Sequence, residues 1–401
     1  MRVLVNELQA LKAKTGIGHY TGELLRRLRE QAGDDGIETF PGPWLRMAQA
    51  LGRRARGWPR RGAAGPAVVG SGGSHWRAWC ALQTRSFGRA LLEADFRLRR
   101  LRTAPDLYHE PDHVPIPTDL PTVVTIHDLS VLFHPEWHPA DRVRGYEARF
   151  RRGLAQARHF LAVSEFTRQE LIQKLNVPPE AVTRTYNGVR RGLGPMPHAD
   201  VRAALRELGL PPRYFLYLGT IEPRKNVMTL LHAYVRLPAA VRERFPLLLV
   251  GGWGWNSGAV AAYLDGEARH RGVVYTGYLP EKSLAAVLNG ARALVYPSLY
   301  EGFGLPPVEM MACGGAVLCS TAGALVETVG ARAHLVEPLD EDGWREALRR
   351  AAVDDDWVAE LRRGAAEVVR PFTWERCAAE TLAVYRAICG RTEAADLRKA
   401  G

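Results

Sequence analysis

The chain has 401 residues, 46% of them hydrophobic and 24% charged, with a net charge of +11. Such a length exceeds one ordinary core and predicts two domains, and the composition excludes a disordered or fibrous chain. No apolar run reaches the roughly 18 to 20 residues that span a bilayer, and five cysteines without a C-x-x-C pair point to neither a disulfide framework nor zinc. The positive excess favours a polyanionic neighbour: nucleic acid, an anionic membrane surface or a phosphorylated substrate.

The chain opens on Met1-Arg2-Val3-Leu4-Val5-Asn6-Glu7, a strand-like run that meets an acid at once. It lacks the apolar region of a signal peptide, so a cytoplasmic location is expected. Next comes Thr15-Gly16-Ile17-Gly18-His19-Tyr20, leading into a helix over 20–30. Glycines there let backbone N–H groups approach an anion, and a helix N-terminus favours phosphate, although such turns also serve tight packing. Residues 45–102 then hold thirteen arginines against Glu93 and Asp95, with Trp58, Trp76 and Trp79 and Gly/Pro-rich stretches. This reads as a loop leading into a basic helix, either docking on lipid headgroups or forming a solvated arginine-rich face.

Beyond it, short apolar runs alternate with helical periodicity, which predicts an α/β fold of parallel sheets with ligands at the carboxyl ends of the strands. Strands are expected at 2–6, 107–109, 122–126, 160–163 and 182–186, and a second series at 214–218, 247–250, 273–275, 293–296, 316–319 and 334–336. Residues 190–200 have the Gly, Pro and polar content of a linker. The domains are accordingly expected at 1–200 and 201–373, followed by a helix over 374–390 that returns toward the first domain.

Three stretches carry chemistry. In Thr125-Ile126-His127-Asp128 an apolar strand ends in a histidine and a carboxylate at the ligand edge, where Asp128 serves equally well as a helix cap. Gly219-Thr220-Ile221-Glu222-Pro223-Arg224-Lys225-Asn226 puts two adjacent cations at a strand-to-helix loop, suited to a diphosphate. The stretch from Pro297 to Glu309, P-S-L-Y-E-G-F-G-L-P-P-V-E, spaces Glu301 and Glu309 eight residues apart, two carboxylates able to grip two sets of sugar hydroxyls.

The pair Glu301 and Glu309 resembles the E-x7-E signature of family 4 retaining glycosyltransferases. The likeness extends to Gly16 and Gly18, His127, Asn187-Gly188-Val189, and Arg224 with Lys225. It implies the GT-B fold, two Rossmann-like domains facing across a cleft, the first for the acceptor and the second for a nucleotide-sugar. By that resemblance Glu309 holds the ribose, while Glu301 and Phe303-Gly304-Leu305 hold the donor sugar and phosphate. His127 touches the sugar, Gly219 opens the diphosphate loop, and Gly277-Tyr278-Leu279 borders the base. T-G-I-G-x-Y, G-T-I-E-P-R-K-N and E-G-F-G-L-P are most similar to bacterial mannosyltransferases of O-antigen and exopolysaccharide assembly, implying GDP-mannose and a glycan or lipid-linked glycan acceptor.

The chain departs from the family pattern at Thr220, at Arg190, which stands where an aspartate is usual, and at Val326, which weakens any role for Glu327. The implied mechanism is front-face displacement without a protein nucleophile, and with no D-x-D motif no metal is expected. A UDP-sugar transferase, a nucleotide-sugar epimerase on the same scaffold and a basic nucleic-acid binder are the alternatives, the last with no recognised nucleic-acid module to support it. If the arginine-rich segment docks on membranes, anionic vesicles will co-sediment the protein and neutralising the arginines between Arg53 and Arg61 will reduce this. Unchanged co-sedimentation would remove the docking role.

Overall fold

The computed structural model describes residues 1–11, 16–42 and 74–400. Strands β1 (Arg2–Asn6), β2 (Gly36–Phe40), β3 (Leu107–Glu110), β4 (Thr122–Ile126), β5 (Ala157–Ala162) and β6 (Val182–Arg184) form one sheet, in the order β2-β1-β3-β4-β5-β6. Strands β7 (Tyr214–Leu218), β8 (Leu247–Val250), β9 (Val273–Gly277), β10 (Ala291–Tyr296), β11 (Val317–Ser320) and β12 (His334–Val336) form a second, in the order β12-β11-β10-β7-β8-β9. The pairing is parallel.

Parallel strands covered on both faces must be apolar along their whole length. The run Y-F-L-Y-L of β7, L-L-L-V of β8 and the end of β10 meet that demand with almost complete burial. In each sheet the order reverses once, between β1 and β3 and between β7 and β10. Loops leaving the carboxyl ends of strands at such a reversal diverge, and the crevice left between them is where ligands bind.

The expected strands are present, with ends shifted by a few residues. β2 was not anticipated: it is an edge strand whose first three residues, including Gly36 and Glu38, are not buried. Its local pattern is weak, and its pairing with β1 supplies what propensity lacks. The first long helix runs Gly16–Gln31, so Gly16 and Gly18 lie in its opening turn rather than ahead of it.

By packing, the chain divides into two units, Met1–Val124 with Gln156–Arg158 and Leu382–Gly401, and Thr125–Ala155 with His159–Thr381. In the first, Phe40, Phe96 and Tyr108 pack ring to ring with Leu4 and Ile116. The second has one large core built on β7, β8, β10 and β11. Residues 45–73, in the segment expected to dock on lipid, lie outside the described residues. From Ser74 to Thr103 the chain is helical. Among the described residues no helix is long and apolar enough to cross a membrane.

The first unit buries one carboxyl at the end of β3. Glu110 accepts from Asn6 Nδ2 (2.8 Å) and Tyr108 Oη (2.5 Å), and burial pushes its pKa up to about 8. The native chain therefore keeps a proton there that the unfolded chain loses above its ordinary value of 4.5. Stability attached to this group is complete below that value and falls as pH rises toward 8, with a slope approaching about 1.4 kcal/mol per pH unit. Glu110→Gln should flatten that part of the stability profile, measured by urea unfolding across the same range.

Candidate active site

At the reversal between β7 and β10, two loops bring four ionic side chains together out of water. After β7 the chain makes a short 3₁₀ turn, Pro223–Lys225, closed by Asn226 in the left-handed region. Asn226 Nδ2 donates to the carbonyls of Pro297 (3.1 Å) and Pro338 (2.7 Å), tying the loop after β7 to those after β10 and β12. The turn aims Arg224 and Lys225 at the β10 loop.

Arg224 donates to Glu301 Oε2 (3.0 Å), Glu222 Oε1 (2.9 Å) and the Tyr300 carbonyl (2.9 Å). Lys225 Nζ donates to Glu301 Oε1 (2.6 Å) and Tyr296 Oη (2.7 Å). Burial opposes the charge on Arg224, yet Glu301, Asp128 and Glu222 outweigh it and hold its pKa well above the usual value. Lys225 moves down, through burial and the adjacent Arg224 cation, against the pull of Glu301 and Glu222. Burial pushes Glu301 up, but Lys225 and Arg224 outweigh this and keep the carboxyl below its ordinary value. Two cations and two carboxylates thus balance inside the protein, an arrangement stable only while every charge stays paired.

The β10 loop is fixed against the end of β4. A Cβ added to Gly302 would lie 1.7 Å from the His127 carbonyl oxygen, so only glycine permits this approach. Tyr300, buried among Phe166, Trp137 and His134, accepts from the Leu129 amide (3.1 Å) and donates to Glu170. His127 and Asp128 are thereby seated beside the ionic cluster, and the charge of Asp128 reaches Arg224. Asp128 also accepts from the amide (2.9 Å) and hydroxyl (2.6 Å) of Ser130, the first residue of helix Ser130–Phe133. His138 contacts that same hydroxyl (3.0 Å), and burial lowers its pKa to about 4, leaving the ring neutral near pH 7.

Glu309 stands on helix Leu305–Ala312, which begins after Gly304 in the left-handed region. It is almost fully buried, and burial raises its pKa against the pull of Arg190, whose Nε donates to Oε1 (3.0 Å). Phe303 turns its ring into the core against Phe372 and Tyr186, so only its backbone remains for a ligand. Tyr278, after Gly277, is 72% exposed and lies over Gly252. Gly219 leads out of β7. The second unit therefore gathers His127, Gly219, Arg224, Lys225, Gly277, Tyr278, Glu301, Phe303, Gly304, Leu305 and Glu309. Gly16 and Gly18 belong to the first unit, and Thr15 lies outside the described residues.

Sequence reasoning passed over several contributors. Glu222 sits inside a quoted motif, but its grip on Arg224 is visible only in the fold. Tyr300 stands beside Glu301 in the same stretch, and its local sequence assigns it no task. Glu327, discounted for its missing proline, accepts from the Glu165 (2.7 Å) and Phe166 (3.0 Å) amides and from Tyr186 Oη (2.6 Å). It caps helix Glu165–Leu175 from outside, satisfying amides that the helix itself leaves unpaired.

Residues 15–191 match the family described as Glycosyltransferase Family 4, and residues 204–368 that described as Glycosyl transferases group 1. O-antigen chain mannosyltransferase B of Escherichia coli is 37% identical over 283 residues, 70% of this chain and 74% of that one. The serotype-specific mannosyltransferase WbdA of Escherichia coli is 31% identical over 263 residues, 64% of this chain but 32% of that one, so the chain spans about a third of it. The structure of sucrose-phosphate synthase from Thermosynechococcus elongatus shares the fold, with a TM-score of 0.71 at 21% identity, covering 98% of this chain and 100% of that one.

Two doubly wound parallel sheets of this kind are the GT-B fold, and the molecule is a glycosyltransferase. The chain belongs to family 4 of those enzymes.

Gly302→Ala tests the seating of the β10 loop. The new methyl cannot be placed without moving the His127 backbone, so the variant should lose about 3 kcal/mol of stability, read from the shift in denaturation midpoint.

Proposed function

We propose that this enzyme transfers a mannosyl group from GDP-mannose to a glycan acceptor, lipid-linked, in the assembly of a bacterial surface polysaccharide, with retention of anomeric configuration. The observation that carries the reading is the paired Arg224 and Lys225 at the sheet reversal, held out of water by Glu222 and Glu301. A diphosphate arriving there meets two cations already oriented, and the same cations stabilise the charge that grows as the sugar–phosphate bond breaks. Glu309 takes the ribose hydroxyls, Glu301 the hydroxyls of the donor sugar, and His127 lies on the sugar side. The mannosyl choice draws on the names of the Escherichia coli relatives.

In the proposed step the bond from C1 to the diphosphate oxygen breaks and the acceptor oxygen bonds to C1 on the same face. The acceptor's proton passes to the departing phosphate oxygen. No protein nucleophile enters, and the protein's own cations serve in place of a metal. Enzymes acting on lipid-linked acceptors work at a membrane surface, and the net charge of +11 suits peripheral attachment to an anionic inner leaflet.

Thermal unfolding with GDP, GDP-mannose, UDP and UDP-sugars, beside an Arg224→Ala, Lys225→Ala double variant, tests this reading. The expected result is a guanosine-selective rise in melting temperature that the variant lacks. A uridine-selective rise would keep the transferase and discard the mannose donor. No rise with any nucleotide would overturn the assigned donor site.

A further inference from the structure

Glu309 is a buried carboxylate whose one ionic partner among the described residues is Arg190. Arg190 leaves β6 by way of Asn187-Gly188-Val189 and reaches Glu309 Oε1 through Nε at 3.0 Å. Its Nη1 meets Glu281 at 3.4 Å, in the turn just after Gly277-Tyr278-Leu279. One guanidinium thus spans the helix that carries Glu309 and the loop that borders the base in the proposed donor site. Its side chain is 24% exposed where that of Glu309 is 2% exposed.

The backbone beneath Arg190 is fixed. Gly188 lies so close to Trp374 that an added Cβ would come within 2.3 Å of the Trp374 nitrogen. Val189 donates to the Phe372 carbonyl at 2.9 Å, and further along Met196 donates to Asn289 Oδ1 at 2.9 Å. A cation delivered from so rigid a loop confines the carboxylate it binds. Nε lies in the guanidinium plane, whose Nη1 is held on Glu281, so its single bond to Oε1 fixes direction as well as distance, which a flexible ammonium does not. Among the described residues the other oxygen of Glu309, Oε2, accepts from no protein donor.

We propose that Arg190 is a positioning residue for the donor nucleotide, holding Glu309 by one oxygen so that the other is presented, as a charged acceptor, to the ribose hydroxyls. The inference rests on the donor-site reading above. Among the described residues no other cation offsets the burial of this carboxyl, and without Arg190 it would take up a proton or turn away; either change weakens its hold on hydroxyl donors.

Titration calorimetry of the full chain with GDP and UDP, and with their 2′,3′-dideoxy counterparts, separates the possibilities. Wild type should prefer the ribonucleotide by about tenfold or more, since hydrogen bonds to a charged acceptor are lost in the dideoxy compound. Arg190→Ala should lose most of this preference and Glu309→Ala all of it, both forms then binding at the dideoxy level, and Arg190→Lys should recover part of the preference. Equal ligand-free melting temperatures would show that the variants are folded, and Arg190→Lys keeps the test informative if Arg190→Ala is not. Full discrimination by Arg190→Ala would overturn the inference, and so would tighter binding, which would make Arg190 a competitor of the nucleotide. Wild type binding no nucleotide would overturn the donor-site reading and the inference with it, whereas binding without discrimination would sink only the ribose role of Glu309 and Arg190.

Discussion

The ion pairs joining Glu301 to Arg224 and Lys225 organise the second unit. Charges of this kind tolerate burial only when each has a partner at hydrogen-bond distance, because desolvation of an unpaired one costs several kcal/mol. Glu301 answers both cations, Glu222 adds a second carboxylate, and the Tyr296 hydroxyl and Tyr300 carbonyl accept one further bond each. Every loop in contact with the cluster is therefore held to a narrow geometry. The β7 turn must point inward, the β10 loop must pass close beneath His127, and Gly302 is the residue that allows it.

The same cluster explains why the sheet reversal matters. Side by side in the sheet, β7 and β10 send their loops apart, and a crevice there is open by topology before any side chain is chosen. Polar side chains lining it would ordinarily be hydrated. Here they are buried against tyrosines, so their electrostatic interactions are strengthened by low local polarity. The proposed diphosphate site is thus charged before a ligand arrives, with the counter-charge lent by Glu222 and Glu301.

Much of this was legible in the chain. Fully buried strands such as β7 and β8 write themselves as unbroken apolar runs, and cations or carboxylates placed just after such runs fall at the ligand edge. Strand β2 was not legible, since half of it faces solvent and its pattern carries no alternation. Nor were the partners of the site residues. That Glu222 holds Arg224, that Arg190 holds Glu309 and that Glu327 caps a helix more than 150 positions earlier depend on where the fold brings distant segments together. Arg190 drew notice only as a departure from the family pattern, and Glu327 was set aside on the strength of a neighbour. In both cases local sequence gave the wrong weight to a residue whose partner lies elsewhere in the chain.

Asn226 joins three of the loops at the carboxyl edge of the second sheet through a single amide, with Thr229 holding its oxygen at 2.8 Å. Loops stitched in this way lose their independent freedom when the chain folds, so the entropy of ordering them is spent before any ligand is met. Affinity at this edge then reflects the fit of the incoming molecule rather than the cost of gathering the loops around it.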